Sequence, residues 1–100
     1  MNVYRIWKYK IKSEHIFDFE SLYSENGDWV KLFKRYDDYI KTELLKDCSD
    51  KESYITIDYW KSKKSYQNFK RIAAKEINEI DKLGEKLTLQ ETYLGEIESE

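Results

Sequence analysis

The chain has 100 residues, 38% of them charged and 40% hydrophobic, the make-up of a single small globular domain spanning 1–100, which excludes a multidomain enzyme. Eighteen Lys and Arg against 20 Asp and Glu leave a formal charge of −2, so no basic field is available to hold a nucleic-acid backbone. Sixteen rings (nine Tyr, four Phe, three Trp) stand in a chain with three Gly and no Pro, and the fold must find places for them.

Val3 to Lys12 alternates, with Tyr4, Ile6, Lys8 and Lys10 on one side and Val3, Arg5, Trp7, Tyr9 and Ile11 on the other, which predicts a strand. Ser13 can then cap a helix whose apolar residues Ile16, Phe19, Leu22 and Tyr23 fall on one stripe, ending near Asn26-Gly27. Asp28 can cap a shorter helical piece carrying Trp29, Leu32, Phe33 and Tyr36. Tyr39–Lys46 and Ser53–Trp60 read as strands joined by the polar stretch 47–52, an antiparallel hairpin with a long loop. A long helix follows, with Ser62 as N-cap and Tyr66, Phe69, Ile72, Ala73, Ile77, Ile80, Leu83 and Leu87 at helical spacing. Gly84 should end or kink it. Thr88 to Ile97 supplies a last strand, and Glu98-Ser99-Glu100 is expected to fray.

The order βαββαβ predicts an α+β, ferredoxin-like domain in which an antiparallel sheet carries both helical segments on one face. The Ser53–Trp60 strand is bulky on both sides. With Ile55, Ile57 and Tyr59 placed under the helices, Tyr54, Thr56, Asp58 and Trp60 fall on the bare face, and such a patch calls for cover by a second copy. A one-residue change of register would exchange the faces.

One Cys (Cys48) cannot close an internal disulfide, and one Cys with one His (His15) cannot make a Cys/His zinc site. A cytoplasmic setting is expected. Residues 1–12 do not read as a signal peptide, and no apolar run approaches the ~20 residues of a membrane span, so no membrane partner is expected. Gly-rich phosphate loops, serine-nucleophile motifs and metal-ligand spacings are absent.

Phe19-Glu20, Gly27-Asp28-Trp29 with Leu32-Phe33, the strand Tyr54 to Trp60 running into Lys61-Ser62, and Glu91 ahead of Leu94-Gly95 together give the chain its signature. In that order it resembles the antibiotic biosynthesis monooxygenase superfamily of dimeric α+β barrels over nearly its whole length. The resemblance implies a homodimer whose sheets close a barrel, with a pocket in each subunit between sheet and helices. It also implies that some members oxygenate substrates with neither metal nor flavin, while others degrade haem. In the haem-degrading branch the resemblance calls for an Asn in the first strand and a Trp and a His on the long helix. Here the first strand offers Trp7 and Lys8, and the helical positions align with Phe69 and Glu79, so the haem ligand is missing.

Cofactor-free oxygenation needs a base and an apolar pocket. Asp58 is the first candidate base, since burial beside Thr56 and Trp60 would raise its pKa; the alternative, which the ordinary use of such carboxylates favours, is a structural Asp that pairs with a Lys or Arg or bonds to the partner's backbone. Glu91 on the last strand and His15, the only imidazole, are the other catalytic candidates. Trp29, Phe33, Tyr54 and Trp60 are the candidate pocket lining, with core packing as the alternative. Lys61, Lys63 and Lys64 could attract an anion or simply solvate a turn. The expected function is binding, without a cofactor, of a small aromatic or apolar molecule, and its oxidation by a monooxygenase reaction. The alternative is a non-catalytic homodimeric binding or interaction module of the same fold.

Overall fold

A computed structural model describes residues 1–99. Four antiparallel strands, β1 (Val3–Ile11), β2 (Tyr39–Lys46), β3 (Ser53–Trp60) and β4 (Thr88–Glu98), lie in the order β2-β3-β1-β4. The helices α1 (Ile16–Tyr23), α2 (Asp28–Phe33), α3 (Lys63–Ile72) and α4 (Ala74–Glu85) pack on one face. This is the α+β, ferredoxin-like arrangement that the pattern of residues predicts.

The faces of β3 are the reverse of the expected ones. Trp60 and Tyr54 are 0% and 2% exposed and lie under the helices, whereas Ile55, Ile57 and Tyr59 lie half-buried on the open face. The physical reason is ring packing. Trp60 meets Phe33, Tyr39, Tyr66 and Phe69 at centroid separations of 5.7, 5.4, 5.7 and 5.0 Å, and Tyr54 meets Phe19 at 5.1 Å. Rings bury more area than Ile and gain further from tilted and edge contacts. On β1, Val3, Arg5, Trp7, Tyr9 and Ile11 share the helix-facing side, opposite Trp60, Asp58, Thr56 and Tyr54 of β3.

Two clusters result. Val3 and Trp60 gather Val30, Leu32, Phe33, Phe69 and Ala73 at one end of the β1–β3 pair. At the other end, Tyr9, Ile11 and Tyr54 gather Phe19, Leu22 and Tyr23.

Helix ends follow local chemistry, with three departures from expectation. Ser62 caps α3 as foreseen: its Oγ accepts from the Ser65 N–H at 3.0 Å, and Ser65 Oγ accepts from the Ser62 N–H at 3.1 Å. Ser13 caps nothing; its N–H and hydroxyl both donate to Glu52, at 2.9 and 2.6 Å, and a 3-10 turn (Ser13–His15) leads into α1. Gly27 rather than Asp28 occupies the N-cap of α2, because a Cβ at 27 would stand 2.4 Å from the Leu22 carbonyl oxygen.

The long helix bends at Ala73 (φ −93, ψ 17), which its spacing did not foretell, and ends at Glu85, one residue past Gly84. Phe69, Ala73, Ile77 and Ile80 then face inward while Ile72 and Leu83 are exposed. Gly84 is buried in α4 under the Tyr23 hydroxyl, which would lie 2.4 Å from an added Cβ. At the C-terminus the strand runs to Glu98, and the Ser99 N–H donates to the Asn2 carbonyl at 2.9 Å; Glu100 lies outside the described residues.

Phe19 is 0% exposed and stacks on Tyr23 at 4.3 Å, so Phe19→Ala should cost about 3–5 kcal/mol. Urea unfolding checks this: the midpoint falls while the slope stays unchanged.

Candidate functional site

Between the two clusters the sheet and helices part around a cavity of ≈ 290 Å³. Its floor is the middle of the sheet: Arg5, Trp7 and Tyr9 of β1, Thr56 and Asp58 of β3, and Thr42 of β2. Rings on the helices roof it: Tyr23 on α1, Trp29 and Phe33 on α2, and Tyr66 and Phe69 on α3. Ile77, Asp81 and Glu85 of α4 with Glu91 of β4 complete the wall, and Lys70 lies at the edge. Lys70, Asp81, Glu85 and Glu91 are exposed, so the cavity meets solvent on their side.

Asp58 lies on the floor, where burial pushes its pKa up to about 6 against the pull of the Thr42 hydrogen bond and the Arg5 charge. Thr42 donates its hydroxyl to Asp58 Oδ1 at 2.7 Å and accepts one from the Tyr39 hydroxyl at 2.9 Å. Arg5, directly across the ladder from Asp58, spends its ion pair elsewhere, on Glu96 at 2.8 Å. The guanidinium is held over the Tyr66 ring at 3.9 Å and near Tyr93 at 5.0 Å. The carboxyl of Asp58 thus has one hydroxyl donor and a cation held at a distance, a setting in which it can exchange a proton near neutral pH.

Of the residues singled out in the sequence, Asp58, Glu91, Trp29 and Phe33 line the cavity. Tyr54 and Trp60 do not: they are packed into the clusters at its two ends, and the Tyr54 hydroxyl donates to Glu20 at 2.7 Å. His15 lies outside the cavity wall at the end of the 3-10 turn, 3.9 Å from Glu14. Asp58 and Glu91 share a face but not a neighbourhood. Glu91 stands opposite Tyr9, Asp58 opposite Arg5, and β1 runs between them. Two strand spacings and four residues of rise put their Cα atoms roughly 16 Å apart, too far for a carboxylate dyad.

Arg5, Thr42, Tyr9 and Tyr23 escaped notice in the sequence, as did Tyr66 in any role beyond packing. The signal for Arg5 was present, since it alternates with Trp7 and Tyr9 on one side of β1. Thr42 carries none that pattern alone reveals. Among the described residues, no group of three His, Cys, Asp or Glu side chains is arranged to hold a metal ion, and no helix is long and apolar enough to cross a membrane.

This architecture recurs in solved structures. The cofactor-independent oxygenase SnoaB from Streptomyces nogalater superposes with a TM-score of 0.80 at 15% identity, over 99% of this chain and 93% of that one. The chain has the fold of the antibiotic biosynthesis monooxygenases. A second structure of an antibiotic biosynthesis monooxygenase matches with a TM-score of 0.70 at 16% identity, over 97% of both chains. A conserved protein from Methanosarcina mazei matches with a TM-score of 0.76 at 16% identity, over 100% of this chain and 94% of its own. No family profile and no curated protein matches the sequence. In this fold, then, the architecture persists at identities too low to carry side-chain roles across.

The raised pKa of Asp58 has a consequence for stability. Unfolded, the carboxyl titrates near 3.8; folded, it titrates at about 6. Between those values the folded chain holds a proton that the unfolded chain has released, so this group makes stability fall as pH rises from about 4 to 6. Above 6 the full penalty remains. Asp58→Asn, which keeps an acceptor for Thr42, should therefore stabilise the protein at pH 7 by on the order of 2 kcal/mol and do little at pH 4. Urea titrations of both proteins at the two pH values decide it; equal stabilities at pH 7 would contradict the burial argument.

Proposed function

We propose that this protein is a homodimeric member of the antibiotic biosynthesis monooxygenase superfamily that binds a small aromatic or conjugated molecule and oxidises it without a cofactor. The observation that carries this reading is a half-buried carboxylate, Asp58, on the floor of a cavity roofed by rings. The fold shared with SnoaB, a cofactor-independent oxygenase, supports the same class of reaction.

The chemistry asks little of the protein. Asp58 removes a proton from an activated CH₂ or phenol, and the resulting anion supplies electrons to dioxygen. One oxygen atom becomes the new carbonyl, and the other leaves as water with the two substrate hydrogens. Ring walls exclude bulk water and favour a delocalised anion, while Arg5, across the ladder from Asp58, supplies positive potential beside it. The homodimer reading now rests on the other set of β3 side chains. Tyr4, Ile6, Ile55, Ile57 and Tyr59 lie half-buried on the open face of the sheet, and Leu45 and Ile97 on the same face are exposed.

Oxygen uptake with anthrone- and quinol-type compounds tests the catalytic claim. Turnover should rise with pH through about 6 as Asp58 ionises, and Asp58→Asn should lower it about 100-fold or more. Unchanged turnover in the variant would remove Asp58 from the mechanism, and tight binding without uptake would leave a non-catalytic binding module. Sedimentation equilibrium should give twice the chain mass; a stable monomer at micromolar concentration would end the dimer reading.

A further inference from the structure

The cavity carries more negative charge than its proposed chemistry needs. Besides its tyrosines, six acidic or basic side chains line it: Arg5 and Lys70 against Asp58, Asp81, Glu85 and Glu91. Arg5 is neutralised by Glu96 outside the lining, at 2.8 Å, and among the described residues none of the four lining carboxylates is in an ion pair. Three of the four, Asp81, Glu85 and Glu91, gather at the mouth. Burial raises the pKa of Asp81 and of Glu91; Glu85 pushes both higher, and Asp81 adds to the push on Glu91. The Thr88 hydroxyl is the hydrogen-bond donor that Glu91 finds, at 3.2 Å. Like charges brought together at a half-desolvated rim, with no cation of their own, cost free energy until a cation arrives from outside.

The rings at that end have the matching character. Tyr9, Tyr23 and Trp29 follow one another with centroids 4.9 and 6.4 Å apart, and Tyr23 is held by its contact over Gly84, beside Glu85. Ring faces attract organic cations as carboxylates do, through the quadrupole, and an ammonium among both gains from each. The Trp29 indole N–H is cut off from solvent and leans on the Tyr23 hydroxyl, a contact that pulls the Tyr23 pKa down but falls short of a well-formed hydrogen bond, so Trp29 and Tyr23 form one polar corner in the ring wall. An inorganic ion fits less well, since no three carboxylates among the described residues converge as metal ligands.

We propose that the cavity selects amines: planar aromatic or conjugated molecules with a protonated ammonium on a short arm, the ring lying over the floor and the cation at the Asp81–Glu91 rim. This rests on the reading of the cavity as a small-molecule site and narrows its substrate class.

Three indoles that differ only in their tails separate the two ideas. Calorimetric titration of the 100-residue chain with tryptamine, 3-ethylindole and indole-3-acetate should rank them in that order, with tryptamine about tenfold tighter than the neutral probe at low ionic strength. The preference should shrink as salt is added and collapse in the paired variant Asp81→Asn, Glu91→Gln. Equal binding of tryptamine and 3-ethylindole, or a preference for the acetate, overturns the proposal while the small-molecule site stands. Failure of all three probes at millimolar concentration overturns both. If the paired variant does not fold, the salt dependence in the unmodified protein decides: a tryptamine preference that persists unchanged at high salt is not electrostatic and rejects the rim.

Discussion

Two ring clusters stand at opposite ends of the β1–β3 ladder and hold the helices off the sheet between them. At one end Val3 faces Trp60 beneath Phe33 and Phe69; at the other Tyr9 faces Tyr54 beneath Phe19 and Tyr23. The two ladder rungs between, Arg5 with Asp58 and Trp7 with Thr56, are touched from the ends, by Tyr66 over Arg5 and Tyr9 beside Trp7, but are not covered by either cluster. Trp29 and Ile80 touch both clusters and bridge the gap without filling it. The cavity is therefore a span between two pillars, and its floor is polar because the packed ends have already taken the large apolar residues of both strands.

That arrangement explains how a carboxylate persists in the interior. Asp58 meets the Thr42 hydroxyl and the potential of Arg5, but the guanidinium is committed to Glu96 and to the faces of Tyr66 and Tyr93. A full ion pair would hold the carboxyl ionised and lower its pKa; an apolar residue would remove it. The protein does neither and carries the cost of a carboxylate whose pKa sits at about 6. Such a cost is characteristic of a site kept for chemistry at the expense of stability.

Much of the architecture was legible because it rests on periodicity. Alternation in residues 3–11, 53–60 and 88–97 places β1, β3 and β4, and helical spacing in residues 16–23 and 66–80 places most helix contacts. The faces of β3 were not legible, since Ile55, Ile57 and Tyr59 are as apolar as Tyr54 and Trp60, and the choice depends on rings brought in by α1, α2 and α3. Gly84 reads locally as a helix terminator, and α4 does end one residue past it; its second use, as the gap that admits the Tyr23 hydroxyl, leaves no local signal. In the site, Asp58, Glu91, Trp29 and Phe33 were found from strand alternation and helix stripes. Arg5 and Thr42 were not, because their significance lies in cross-strand neighbours, and register is set by the fold rather than by either strand alone. His15, singled out for its chemistry without a place in the pattern, lies away from the cavity.

The pillars also keep the two charged ends of the cavity apart. The pKa of Asp58 is set by its own burial, by Thr42 and by Arg5, with no contribution from the rim. The rim carboxylates act instead on the tyrosines between: Glu91 helps burial raise both Tyr9 and Tyr23, and Asp81 adds to the effect on Tyr23. Tyr9 and Tyr23 both also feel Asp58, so both rings lie within reach of the two ends. A molecule filling the cavity would meet a base at one end, a negative rim at the other and neutral, protonated phenols in between. Asp58 and the rim can then be tuned separately, because distance along the cavity rather than any screening by the rings keeps the rim out of the causes that set the Asp58 pKa.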